Sequence, residues 1–193
     1  MINFLVLALL IASCPGAAAD GVVRAAGRVE EAPGIHPLVG QPAPGWDDLG
    51  WVKGGPLDGD SLRGRVVLVR WWTGPGCPYC RASAPSLQEW HERYRERGLT
   101  VVGMYHHKGP GKPTAEGVAE LADRLGFTFP IAIDHGWRTL ERWWPGEEKR
   151  VFTSVSFLVS RDGIVRYVHR GGAYNRSDSA EIEARIMKLL SAP

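Results

Sequence analysis

Val66-Val67-Leu68-Val69-Arg70-Trp71-Trp72-Thr73-Gly74-Pro75-Gly76-Cys77-Pro78-Tyr79-Cys80 is the stretch that decides how this chain folds. Val66 to Val69 is an unbroken apolar run, the pattern of a central strand covered on both faces. Beyond Cys80, Leu87, Trp90 and Tyr94 recur at spacings of three and four, which predicts a helix with one apolar stripe, ended by Gly98. Pro85 lies inside that helix and is expected to kink it. The two cysteines therefore stand where a strand hands over to a helix. Unpaired N–H groups and the helix dipole there favour a thiolate, so Cys77 is expected to be the nucleophile. Cys80 follows about one helical turn on, close enough to close a small disulfide ring and act as the resolving thiol. Pro78 presets the backbone at the helix start. Arg70 interrupts the apolar run, and two readings of it are open. It stabilises a thiolate at Cys77, or it is a strand-end residue that pairs with a carboxylate or reaches solvent.

Working outward, strands and helices alternate. Leu99 to Tyr105 is the next strand. Thr114 is expected to cap a helix carrying Val118, Leu121, Ala122 and Leu125, closed by Gly126. Phe129 to Ile133 reads as a short strand, and Trp137, Leu140 and Trp144 as a helix stopped by Pro145-Gly146. Val151 to Val159, the turn Arg161-Asp162-Gly163, and Ile164 to Val168 form a hairpin. Asp178 with Glu181 looks like a capping box for a last helix that buries Ile182, Ile186, Leu189 and Leu190. The expected architecture is α/β, a mixed central β-sheet flanked by helices. Of the aromatic residues, Trp71-Trp72 and Trp143-Trp144 are expected mostly in the core, although such pairs beside a redox site also suit a protein-docking surface.

The chain has 193 residues, a formal net charge of +2 and three cysteines, Cys14, Cys77 and Cys80. The near-neutral balance and the lack of basic runs argue against nucleic-acid binding. Three cysteines are too few for a disulfide-stapled scaffold. Phe4 to Ala12 is an apolar run too short to span a membrane but suited to a signal-peptide core, so residues 1–19 are expected to be an export signal and 20–37 a flexible linker. Cleavage after Ala17-Ala18-Ala19 would release a soluble periplasmic or otherwise extracytoplasmic domain, 38–193. Ile11-Ala12-Ser13-Cys14 resembles instead a lipobox that would tether the protein to a membrane through Cys14.

Four stretches resemble the thioredoxin superfamily, specifically the exported TlpA/ResA-like redoxins related to AhpC/TSA peroxiredoxins. They are Val39-Gly40-Gln41-Pro42-Ala43-Pro44, Arg63 to Val69, Cys77-Pro78-Tyr79-Cys80-Arg81 with Pro85, and Phe157-Leu158-Val159-Ser160-Arg161-Asp162-Gly163. The resemblance implies a thioredoxin-like fold with a redoxin-type α-β insertion. It also implies a protein-disulfide oxidoreductase that needs no cofactor beyond its Cys77–Cys80 pair. Its partners would be protein thiols or disulfides and an upstream electron donor or acceptor, the latter membrane-bound in one reading, and the domain itself a monomer. Trp72, Pro78, Tyr79, Pro85, Thr153 and Ser154 would support the site. The sequence departs from the family in three places. Gly76 stands where a tryptophan usually precedes the first cysteine, with Trp71 or Trp72 expected to supply part of the missing cover. Ser154, within Thr153-Ser154-Val155, falls where a cis-proline usually faces the disulfide. No acidic residue matches the family's buried proton shuttle. Three alternatives remain open at this level: a thiol peroxidase of the AhpC/TSA class, with Thr73 orienting peroxide; a copper-delivery protein using Cys77, Cys80 and His106 or His107; and a redox-inert binding domain, given the altered proline and tryptophan positions.

Overall fold

A computed structural model describes residues 36–46, 49–144 and 154–192. The expected signal segment, Cys14, the linker up to residue 35, Pro145-Gly146 and Thr153 lie outside the described residues. In chain order the elements are β1 (Leu49–Lys53), β2 (Val66–Trp72), α1 (Pro78–Tyr94), β3 (Leu99–Tyr105), α2 (Ala115–Arg124), β4 (Ile131–Asp134), α3 (Arg138–Trp143), β5 (Val155–Val159), β6 (Val165–Arg170) and α4 (Arg176–Ser191). Among the described residues the strands form one mixed six-stranded sheet, in the order β1-β4-β3-β2-β5-β6. β2 runs parallel to β3 and β3 parallel to β4, while β5 and β6 join as an antiparallel hairpin on the other side of β2. α2 with β4 is the inserted α-β unit, since it adds a parallel strand between β3 and the edge strand β1.

Alternation along β2 divides the core into two layers. Val66, Leu68 and Trp72 pack with Cys80, Leu87, Trp90 and Tyr94 of α1 and with Ile182, Ile186 and Leu190 of α4. Val67, Val69 and Trp71 pack on the opposite face with Trp143, Trp144, Phe157 and Leu140. β2 does not stop at Arg70; it continues through Trp72, because Arg70 is held inside the sheet rather than released to solvent. As a consequence Trp71, Trp72, Trp143 and Trp144 are all buried, and none of them is a docking surface.

Local signals decided most boundaries. Thr114 Oγ1 accepts from the Gly117 N–H at 3.1 Å and starts α2. Gly98, with φ +103°, lets the chain turn out of the short helical turn after α1 into β3. The last helix starts a turn earlier than expected. Asn175 is its cap, and Asp178 returns the bond to the Asn175 N–H, so the box is Asn175–Asp178 and not Asp178–Glu181. The packed domain also begins earlier than Leu38. His36, assigned to the linker from sequence, is buried, with its ring centroid 4.8 Å from that of Trp144 and 5.6 Å from that of Phe157.

Candidate active site

The loop Thr73 to Gly76 carries the chain from the C-terminal end of β2 onto α1. Gly74 adopts φ +136°, a conformation that strains any residue with a side chain. The Cys77 N–H bonds back to the Gly74 carbonyl at 3.0 Å, which brings Cys77 to the helix start. Cys77 is the cap of α1, and its sulfur accepts the Cys80 N–H at 3.4 Å. Pro78 occupies the first turn, where its missing N–H leaves no bond unmade. Both cysteines are free; Cys77 is half-buried and Cys80 is buried, with 1 % exposure.

Donors surround the inner sulfur. Burial works against ionisation of Cys80, but hydrogen bonds from the Thr73 backbone, from the Cys77 and Thr73 side chains and from the Gly74 backbone outweigh it and hold the thiol below its ordinary value. Thr73 Oγ1 lies 3.7 Å from Cys80 Sγ, so the hydroxyl serves the buried cysteine rather than the accessible one.

The residues around the pair are arranged as follows. Gly76 is exposed, with no atom within 4 Å of where a Cβ would stand, so the place of the customary tryptophan is open. Trp72 does not replace that cover. It lies beneath the site, in the same buried layer as Cys80, edge-on to Tyr105 and Phe127. It fits there because Gly103 of β3 has no side chain; a Cβ would come within 3.0 Å of the Trp72 indole nitrogen and 2.7 Å of Ile131. Tyr79 is 58 % exposed, more than any other large hydrophobic side chain among the described residues. The Gly171-Gly172 loop after β6 closes the other side: a Cβ on Gly172 would stand 2.6 Å from that of Tyr79 and 3.2 Å from that of Ser154. Ser154 lies against this loop, on the bare backbone of Gly172 that also meets Tyr79. Pro85 is exposed further along α1, which continues unbroken as a helix to Tyr94.

The two histidines do not join the cysteines. His106 is fully buried against Trp137, and burial, with smaller contributions from Lys108 and Arg70, pushes its imidazole down to about 3. His107 faces the Tyr105 hydroxyl at 3.1 Å and the Pro110 carbonyl at 3.3 Å. Among the described residues no three His, Cys, Asp or Glu side chains gather as metal ligands.

Sequence reasoning missed a buried polar layer directly under the site. Arg70, with 0 % exposure, points to the same sheet face as Trp72 and sits opposite Ser156 of β5. Its guanidinium donates to Ser156 Oγ (3.4 Å), Ser83 Oγ of α1 (3.2 Å), the Gly171 carbonyl (3.0 Å) and the Gly172 carbonyl, and it lies over the Tyr174 ring, 5.2 Å from the centroid. Ser83 passes the connection on, donating to the carbonyls of Tyr79 (3.1 Å) and Cys80 (3.3 Å). The sequence signals were an arginine inside an apolar run and a glycine pair after the hairpin.

Comparison with known proteins agrees with this construction. Residues 38–186 match the Redoxin family. The chain is 31% identical over 138 residues to Protein DipZ of Mycobacterium tuberculosis, covering 67% of this chain and 18% of DipZ. It is 26% identical over 121 residues to the thiol-disulfide oxidoreductase ResA of Halalkalibacterium halodurans, covering 63% of this chain and 62% of ResA. The chain therefore spans less than two thirds of either relative. The crystal structure of a thiol-disulfide isomerase from Corynebacterium glutamicum superposes with a TM-score of 0.61 at 25% identity, over 78% of this chain and 98% of that one. With a matched segment that takes in every strand from β1 to β6 and the cysteine-capped helix among them, this chain belongs to the Redoxin family, within the thioredoxin superfamily.

Proposed function

We propose that this domain is a thiol–disulfide oxidoreductase that exchanges disulfides with protein thiols outside the cytoplasm. One observation carries the reading: a half-buried Cys77 sulfur caps α1 by accepting the Cys80 N–H, with a buried, donor-surrounded Cys80 one turn behind it. In the reductive direction Cys77, as thiolate, attacks one sulfur of a partner disulfide. A Cys77–partner bond forms and the partner's other sulfur leaves as a thiolate that takes up a proton. The Cys80 thiolate, favoured by its donors, then attacks Cys77 Sγ, closes the Cys77–Cys80 disulfide and releases the second partner thiol. Two electrons pass from the domain to the partner; the same steps reversed oxidise a dithiol. The names of ResA and of the Corynebacterium isomerase support this class of reaction. The apolar run Phe4 to Ala12 supports export, with Cys14 as an alternative lipid anchor. Among the described residues no helix is long and apolar enough to cross a membrane.

The reading is checked by insulin reduction and by oxidation of a reduced dithiol peptide. Cys77→Ser is expected to abolish both, a loss of more than about a hundredfold. Equal rates for Cys77→Ser and wild type would remove the proposal. Peroxide consumption that depends on Cys77, without dithiol exchange, would instead favour the peroxidase.

A further inference from the structure

Arg70 is a buried cation with no carboxylate partner among the described residues. Every hydrogen-bond partner it has is neutral: two serine hydroxyls and two backbone carbonyls. Among the described residues no carboxylate forms an ion pair with it, and its Nε has no hydrogen-bond partner. Burying a guanidinium without an opposite charge is unfavourable by several kcal/mol unless something nearby carries that charge. Its neighbours place it beside the redox helix. β2 alternation places Arg70 between Leu68 and Trp72 on the face that α1 covers, the face where Cys80 is buried. Through Ser83 it reaches the carbonyls of Tyr79 and Cys80, the first turn of the redox helix. Through Gly171 and Gly172 it fixes the loop that meets Tyr79 from the opposite side.

We propose that Arg70 is a positioning residue for the Cys77–Cys80 pair: it clamps the start of α1 against the Gly171-Gly172 loop and supplies the positive charge that balances the thiolate of the reduced pair. This rests on the oxidoreductase reading above. The thiolate exists in the dithiol form and not in the disulfide, so the cation stabilises reduced over oxidised protein and raises the reduction potential of the pair. Burial lowers the imidazoles of His106 and His169, and the positive charge of Arg70 adds a smaller contribution in the same direction at both.

The test is equilibration of the full chain in glutathione redox buffers (protein disulfide plus two glutathione thiols giving protein dithiol plus glutathione disulfide), read by thiol alkylation. Three variants are compared: Arg70→Met, Arg70→Lys and Ser83→Ala. Arg70→Met is expected to shift the equilibrium toward the disulfide by about tenfold, equivalent to about 30 mV. Arg70→Lys keeps the charge and is expected to stay within about threefold of wild type. Ser83→Ala keeps the charge and loosens the helix, and is expected to slow insulin reduction with little change in the equilibrium. A wild-type equilibrium in Arg70→Met would overturn the proposal, as would a shift in Arg70→Lys equal to that in Arg70→Met. Should Arg70→Met fail to fold, the Lys variant alone decides. A shift toward the disulfide of about tenfold or more overturns the proposal, and an equilibrium within about threefold of wild type supports it. The glutathione equilibrium is measured whether or not insulin is a substrate, so failure of this inference and failure of the oxidoreductase reading give different results.

Discussion

On the Trp71 face of β2 the buried charge-bearing group is Asp134, whose carboxylate accepts from the Trp71 indole (2.9 Å), the Thr139 N–H (2.9 Å) and the Leu140 N–H (2.8 Å). On the Trp72 face it is Arg70, which donates to Ser83, Ser156 and the glycine loop. The two never meet, because successive residues of a strand face opposite layers. The donors of Asp134 come from the start of α3 and from β2, so it joins a short helix to the sheet. Arg70 instead joins three parts of the redox site and retains an unsatisfied Nε. A buried carboxylate that accepts from a fixed indole and two helix-start N–H groups holds a fold together. A buried charge left electrostatically unbalanced beside a reactive pair can respond to the state of that pair.

This contrast can be broken at several points. The largest effect is expected at Asp134→Ala, which strands three buried donors at about 1 kcal/mol each, about 3 kcal/mol in total. Urea unfolding should register it, with the glutathione equilibrium of the cysteines unchanged. A large redox shift there would erase the distinction between the two faces. Acid comes next. His106, packed on Trp137 in the Trp71 layer, keeps its proton only below about pH 3, whereas an unfolded histidine takes one up near 6.5. Between those values the unfolded state binds more protons, so stability falls as pH drops through that window. From pH 7 to pH 5 the loss from this group is about 2 kcal/mol. His169 and His91, both lowered chiefly by burial, act in the same sense. His106→Gln should flatten the acid limb measured by urea unfolding at pH 7, 6 and 5; an unaltered slope would show that His106 does not carry it. The smallest effect belongs to Ser83→Ala, about 1 kcal/mol in stability, since its carbonyl partners sit at a helix start and the guanidinium keeps three other bonds.

Much of this was legible in the residues. β3 has the bounds its apolar run gave, Thr114 caps α2, and Arg161-Asp162-Gly163 turns the hairpin with Gly163 at φ +79°. Each depends on neighbours a few positions away. What could not be read depends on distant ones. An arginine in an apolar run ordinarily marks a strand end, yet Arg70 stays inside because Gly171 and Gly172, a hundred positions later, bring two carbonyls to it. The extent of β2, the burial of Trp71 and Trp72, and the polar layer under the cysteines all follow from that long-range pairing. The early start of α4 has a simpler cause. Asn175 and Asp178 are both good cap residues, and Asn175 wins by placing Asp178 three positions on, where it can return the bond.

The bare backbone of Gly103 has an evolutionary consequence. Trp72, Ile131 and Phe129 fill the space a side chain at 103 would need, so these positions change as a set or not at all. A lineage that gains a methyl at 103 must make room at Ile131, the tightest neighbour, as well as at Phe129 and the indole beneath Cys80. The substitution history of β3 and the floor of the redox site are, in that sense, written together.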